Sequence, residues 1–436
     1  MRFRSTAIAL AAAALMPGAA TAQDVDGAAL VDALHSAFGK RGVRAVHSKG
    51  LVLEGRFVPS PEAKALSFTS LFAGPVPVIA RFSDFTGIPD IPDTEGLANP
   101  RGLALKFKLP NGGESSIVAH SFNGFPTASS AEFATLLRTL KDSGPDAPKP
   151  TPLDKFLDGH PIAKTFLTTQ KPAPESYATL SYYGVNAFGF LDAAGHETAV
   201  RYRFVPKAGE HVLDADTIKA KGPNYLGEEI RSRVAAGPIS FDWYAQIAAA
   251  GDDVTNPSVT WPEDRKLGKL GTIEVTQMAA DQAAADKEVF LPGRVPPGIE
   301  PLDPMILLRQ QAYPISAAER GVPVSQETAM VQFRHELPNV PGQSLIAVVV
   351  DYPPGTKSSA HHHAPSAFIY AHVLSGAIRS QVDDGPAKVY LAGDSFYEMP
   401  GQHHRISENA STTEPARLLA VFITDPRQPL TTPDAK

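Results

Sequence analysis

The strongest constraint on the fold is a change of pattern along the chain. After "ERGVPVSQ" at residues 319–326, the sequence consists of short β-runs separated by turns: "SLIAVVVDYPPG", "AFIYAHVLSGAIRSQV", "AKVYLAGDSFYEMP" and "ARLLAVFIT". Regular spacing of this kind predicts a small all-β barrel or jelly roll. Before that point, strand-like runs such as "GLVLEGRFV", "VPVIARFSDF" and "RGLALKFKLP", broken by Gly and Pro, mix with helical pieces. These include an amphipathic "DGAALVDALHSAFGK" and a short apolar helix in "LDPMILLRQQAYPIS". The chain is long for one core. The pattern divides it near residues 322–325, into an α+β unit at 23–322 and an all-β unit at 323–436.

Residues 1–22 are expected to be a cleaved export signal. Arg2 and Arg4 precede an alanine-rich apolar run that ends in Ala20-Thr21-Ala22. No other stretch approaches the 18 or more apolar residues of a membrane span. Removing the signal takes away two cations and no acid, so the net charge moves from −6 to −8. With no basic patch, nucleic acid is not an expected partner. Export combined with the absence of cysteine points to a periplasmic protein held together by its own core.

Four stretches of the first unit carry chemistry-bearing residues. "RAVHSKG" holds Arg44 and His47, and "RFS" holds Arg81 and Ser83. "NPRGLALKF" is followed by "FNGFP" with Asn123, and "RQQAYPISAAER" holds Arg309, Tyr313 and Arg320. Arg309 and Tyr313, four residues apart, share one helical face. In this order the stretches resemble the haem catalase family. Its members carry R-V-V-H-A-K-G, R-F-S and D-P-R-G-F-A-V-K-F, a distal asparagine three residues before a proline, and a helix with R-x-x-x-Y-P and a further arginine seven residues on. The likeness runs from about Asp26 to Arg320. It implies an antiparallel β-barrel core with helices, and haem b as cofactor.

By that resemblance Tyr313 is the axial ligand of the haem iron; tyrosine is the haem ligand known in catalases. A free phenol ionises only near pH ~10, and a fixed cation on the same face favours the phenolate. Arg309 is therefore expected to keep Tyr313 ionised. His47 is implied as general acid–base and Asn123 as the group that polarises the peroxide. Ser83 would hold the His47 ring. Arg44, Arg81 and Arg320 match positions that pair with haem propionates, where a bidentate fork suits a carboxylate. The unit is shorter than a typical catalase subunit and resembles the minimal branch, the catalase-related peroxidases.

The second unit carries "GTKSSAHHHAPSAFIYAHVLSG" and "GDSFYEMPGQHHRISEN". Gly355, His361, His363 and Gly376 match the first cupin motif. Gly393, Pro400, Gly401, His404 and Asn409 match the second, with the asparagine one place late. In a strand His361 and His363 face the same way, and with His404 they can make a triad for one divalent transition metal. The glutamate usual after H-x-H is missing, and His372 or Glu398 could replace it.

The expected whole is a catalase-like haem unit followed by a cupin barrel. It would reduce hydrogen peroxide and organic hydroperoxides with a small-molecule electron donor, with weak or no catalase activity. Association into a homo-oligomer is left open. Two rivals keep the haem: isomerisation or dehydration of a lipid hydroperoxide, and periplasmic haem binding or sensing without turnover.

Overall fold

The computed structural model describes residues 25–110, 113–170, 172–322 and 327–434. The leader at 1–22 and the boundary residues 323–325 lie outside the described residues. Eight strands build the first unit: β1 Gly50–Pro59, β2 Val76–Ser83, β3 Gly102–Lys108, β4 Glu114–His120, β5 Tyr182–Leu191, β6 Glu197–Pro206, β7 Ile239–Ile247 and β8 Leu267–Met278. They pair antiparallel in the order β4-β3-β2-β1-β8-β7-β6-β5. One further pair, His120 opposite Tyr183, closes the ring between β4 and β5. A short β9, Ile299–Pro301, adds to β5.

Alternation decides what fills the barrel. Val78, Ala80 and Phe82 of β2, Leu103, Leu105 and Phe107 of β3, and Ile117 and Ala119 of β4 all belong to one buried cluster. At its centre Trp243, fully buried, packs against Phe57, Tyr202, Phe107 and Phe204, with ring centroids 5.1, 5.3, 5.4 and 5.6 Å away. The interior is thus a packed aromatic scaffold. The residues between them, such as Arg81, Ser83, Gly102 and His120, are left for the outer face.

Three helices form a second apolar cluster: Gly27–Phe38, Ser130–Lys141 and Pro304–Glu319. Leu30, Leu34, Ala134, Leu137, Leu308 and Ala312 are among its buried members. Asp26 and Asp303 cap the first and last, each carboxylate accepting a backbone N–H at 2.8 Å. A Cβ on Gly27 would lie 2.5 Å from that of Gln311. Only glycine lets the two helices come this close, and its N–H donates to Gln311 Oε1 at 3.1 Å.

The second unit is two five-stranded sheets, in keeping with a cupin. One sheet takes Thr328–Glu336, Ser344–Tyr352, Ala416–Thr424, Phe368–Ser375 and Ser395–Glu398. The other takes Lys388–Leu391, Ala377–Val382, His403–Asn409, His361–His363 and Thr431–Pro433. The four matched glycines, Gly355, Gly376, Gly393 and Gly401, all turn the chain at positive φ. The units touch through an Arg334–Glu300 ion pair and an Arg294 donor on the Glu327 carbonyl at 3.3 Å. No helix among the described residues is long and apolar enough to cross a membrane.

Candidate haem site and a histidine cluster in the C-terminal sheets

The Pro304–Glu319 helix presents Arg309 and Tyr313 together, as the sequence predicts. Arg309 donates to the Tyr313 oxygen from Nε at 3.1 Å and from Nη2 at 2.8 Å. The phenol oxygen thus accepts two charge-assisted hydrogen bonds from one planar fork. Arg309 is itself held from behind. Its Nη1 donates to Asn186 Oδ1 at 2.6 Å, and Asn186 Nδ2 donates to Asp303 Oδ2 at 2.7 Å. Asp303 caps the same helix, so one chain of bonds fixes both the helix start and its arginine. Asn186 lies on β5, far away in sequence, and no local pattern marks it.

His47 has φ of +55°, a left-handed backbone that is uncommon outside glycine. Its ring lies against Gly102: a Cβ there would sit 2.7 Å from His47 Nδ1 and 2.5 Å from Ser83 Oγ. The glycine of "NPRGLALKF" therefore makes room for the imidazole. His47 Nδ1 is 3.1 Å from Ser83 Oγ, so Ser83 does hold the ring. With Nδ1–H donating there, Nε2 is the free base. Burial, then the nearby His120, Arg81 and Arg309, pushes His47 down to about 3, which keeps it neutral.

Asn123, just beyond β4, is held by Glu263 and Thr260. Its Nδ2 donates to Glu263 Oε1 at 3.0 Å, and its carbonyl accepts from Thr260 Oγ1 at 3.0 Å. On the His47 side, Ser83, Gly102 and His120 are directly opposite one another on β2, β3 and β4, in one row on the outer face. The Phe122 N–H donates to His120 Nδ1 at 3.4 Å, which puts the ring proton on Nε2. That Nε2 is buried and has no partner among the described residues. Burial and Arg309 push His120 down to about 4. His120 stands at the end of "ESSIVAH", outside the stretches that carry the resemblance.

Arg44, Arg81 and Arg320 converge as expected. Arg44 Nη1 lies 2.7 Å and Arg81 Nε 3.0 Å from the Asp286 carboxylate, while Arg320 donates to the Asp286 carbonyl at 3.0 Å. Two guanidiniums share one half-exposed carboxylate and the third holds the carbonyl of the same residue, while Arg320 Nε is buried with no partner among the described residues. Burial, with Arg81 and Arg320 against the pull of Asp286, brings Arg44 down to about 9. The cluster has positive charge to spare for a dianion. Together with the clamped phenol oxygen and the unpartnered His120 N–H, it fits a haem with two propionates.

A buried charge cluster that the sequence reading did not assign ties three motif stretches together. Arg101 pairs with Asp84 at full burial, Tyr177 OH donates to Asp84 at 2.8 Å, and Lys49 lies 2.5 Å from Asp93. Lys49 follows His47 closely, Asp84 follows Ser83 and Arg101 precedes Gly102. The cluster anchors the segments that place the row above.

In the second unit His361, His363 and His404, all buried, offer ligand atoms within 4.8 Å of one another. His361 Nδ1 donates to the Ser359 carbonyl at 2.7 Å and His363 Nδ1 to the Leu430 carbonyl at 3.0 Å. Both bonds fix the tautomer that leaves Nε2 free for a metal. Of the two candidates for the missing acid, Glu398 is the one in place. Its oxygens lie 3.2 Å from His363 Nε2 and 3.2 Å from His404 Nδ1. Burial raises this carboxyl, but the neighbouring His363 and His404 outweigh it and bring it down to about 2. His372 instead meets Ser395 Oγ at 2.9 Å on the exposed side.

Comparison with known proteins agrees with both halves. Residues 18–330 match the family model described as Catalase, and 348–422 match the one described as Cupin domain. A protein named catalase-related peroxidase from Synechococcus elongatus is 34% identical over 330 residues, 73% of this chain and 96% of its own. Another of that name, from Mycolicibacterium paratuberculosis, is 33% identical over 297 residues, 66% of this chain and 93% of its own. Among solved structures, a fungal catalase superposes with a TM-score of 0.58 at 19% identity, over 66% of this chain and 60% of that one. The chain thus spans less than two thirds of that catalase.

Proposed function

The chain belongs to the catalase family, and from that premise we propose that it reduces hydrogen peroxide and organic hydroperoxides, ROOH + 2 H⁺ + 2 e⁻ → ROH + H2O, with an external donor of the electrons and little or no disproportionation. Haem b, when bound, supplies the iron at which the O–O bond is cleaved and stores the two oxidising equivalents that the donor discharges. Tyr313 would bind the haem iron through its phenol oxygen, with Arg309 fixing that oxygen. Arg44, Arg81 and Arg320 would hold the propionates. His47 Nε2 would take the proton of the near peroxide oxygen and return it to the far one as water or alcohol leaves. His120 Nε2–H would donate to the peroxide, in the role first given to Asn123.

The observation that carries the reading is the pairing of the doubly donated Tyr313 oxygen with a His47 held neutral and oriented by Ser83. A haem store or sensor needs neither an oriented base nor a second histidine beside it. The names of the two similar proteins support peroxidase over catalase turnover. A periplasmic location, from the leader at 1–22, is part of the proposal, as is a divalent metal held by His361, His363, His404 and Glu398. The test compares oxygen release from H2O2 with donor oxidation by an alkyl hydroperoxide, using haem-loaded protein and a phenolic donor. Donor oxidation is expected to be the faster. Vigorous oxygen release without donor oxidation would make the protein a true catalase.

A further inference from the structure

We propose that the outer face of the histidine-bearing sheet holds a second, separate site for a first-row divalent metal, formed by His362, His403 and Asp434. Along the His361–His363 strand the side chains alternate, so the two ends face the buried triad and His362 faces out. The neighbouring strand repeats the pattern: His404 lies directly opposite His361, and His403 directly opposite His362. The two outer rings stack with centroids 4.2 Å apart and planes 13° from parallel. A third strand, Thr431–Pro433, pairs with the first and delivers Asp434 beside them. The Asp434 N–H donates to the Ala360 carbonyl at 3.0 Å, which fixes where its carboxylate starts.

The donor set suits a metal. Asp434 Oδ2 is 2.9 Å from His403 Nε2, and Oδ1 is 4.0 Å from His362 Nε2. All three ligand atoms fall within 4.8 Å of one another. Bonds of about 2.1 Å to a tetrahedral ion ask for ligand atoms about 3.4 Å apart. A small turn of the exposed His362 ring closes that gap. Two imidazoles and one carboxylate are a set that Zn(II), Ni(II) or Cu(II) accepts, with open positions left for water. On binding, the ion takes the His403 Nε2 lone pair, and the ring carries its proton on Nδ1. Asp383, which accepts the His403 backbone N–H at 2.9 Å, adds a further anion nearby.

The outer site also bears on the inner one. Leu430, four residues before Asp434, supplies the carbonyl that orients His363. An ion joining Asp434 to His362 and His403 would staple this segment across both histidine strands and so hold that carbonyl in place. Binding at the two sites should then be mutually favourable, each raising the affinity of the other by the same factor.

The experiment is a Zn(II) titration of the full-length protein after chelator treatment, with metal per chain read by equilibrium dialysis. The wild type should take two equivalents. His362→Ala and Asp434→Asn, both at exposed or half-exposed positions, should each take one, and that remaining ion should bind several-fold more weakly than the inner ion of the wild type. The double change His361→Ala/His363→Ala should also take one. Two equivalents in either outer variant would overturn the site, as would a wild type whose single equivalent vanishes in the inner double variant. A single wild-type equivalent that survives the inner double variant and is lost in His362→Ala would support the outer site alone. Unchanged inner affinity in His362→Ala would overturn the coupling.

Discussion

Tyr313→Phe is expected to leave the protein without stoichiometric haem and without peroxide turnover. The ring would still fit, but the phenol oxygen proposed to bind the iron would be gone. The change would also strip Arg309 of the acceptor for Nε and Nη2. Two donors losing their partner in a half-buried place cost on the order of 1–3 kcal/mol each, so the Pro304–Glu319 helix should loosen as well. Haem per chain, measured on the purified variant after reconstitution, is the readout. Arg309→Leu is the companion: it keeps the oxygen and should keep part of the haem. Full haem loading and activity in Tyr313→Phe would end the assignment of the pocket.

The second large effect is expected at His47. His47→Ala should retain haem, because the axial side is untouched, and should lose roughly 10²–10⁴-fold in peroxide cleavage, the usual contribution of a positioned acid–base group. Since His47 is held down at about 3 and His120 at about 4, both should be neutral from pH 5 to 8. The cleavage rate of the wild type should then be flat over that range and fall only in stronger acid, as protonation removes the base. A loss below tenfold in His47→Ala, or a wild-type rate that halves near the ordinary imidazole value of about 6.5, would give the proton transfer to another group. His120→Asn keeps an N–H donor in the row and should lose much less than His120→Leu.

Much of this was legible in the sequence for a physical reason. Arg309 and Tyr313 are one helical turn apart, so their contact is local and spacing alone fixes it. His361 and His363 share a strand face for the same reason, and the two-residue period also set His362 on the opposite face. What escaped depends on pairing between distant strands. His120 reaches His47 only because β4 lies in register with β3, opposite Gly102, and no spacing along the chain encodes that. Asn123 lies only three residues beyond His120, past the end of β4, where the chain has turned to Glu263. Asn186 behind Arg309 and Glu398 between His363 and His404 are likewise contacts across the fold. Glu398 was one of two candidates in the sequence, and only the facing of its strand separated it from His372.

The measurement closest to the central claim is the stoichiometry of turnover. Haem-loaded wild-type protein is mixed with a limiting alkyl hydroperoxide and excess phenolic donor, and the products are counted. Reduction at this site predicts one alcohol formed and two donor electrons consumed for each hydroperoxide, with no oxygen released. A rearranged or dehydrated product that retains the peroxide's oxidation level, with no donor oxidised, would contradict the account and show an isomerase or dehydratase built on the same pocket.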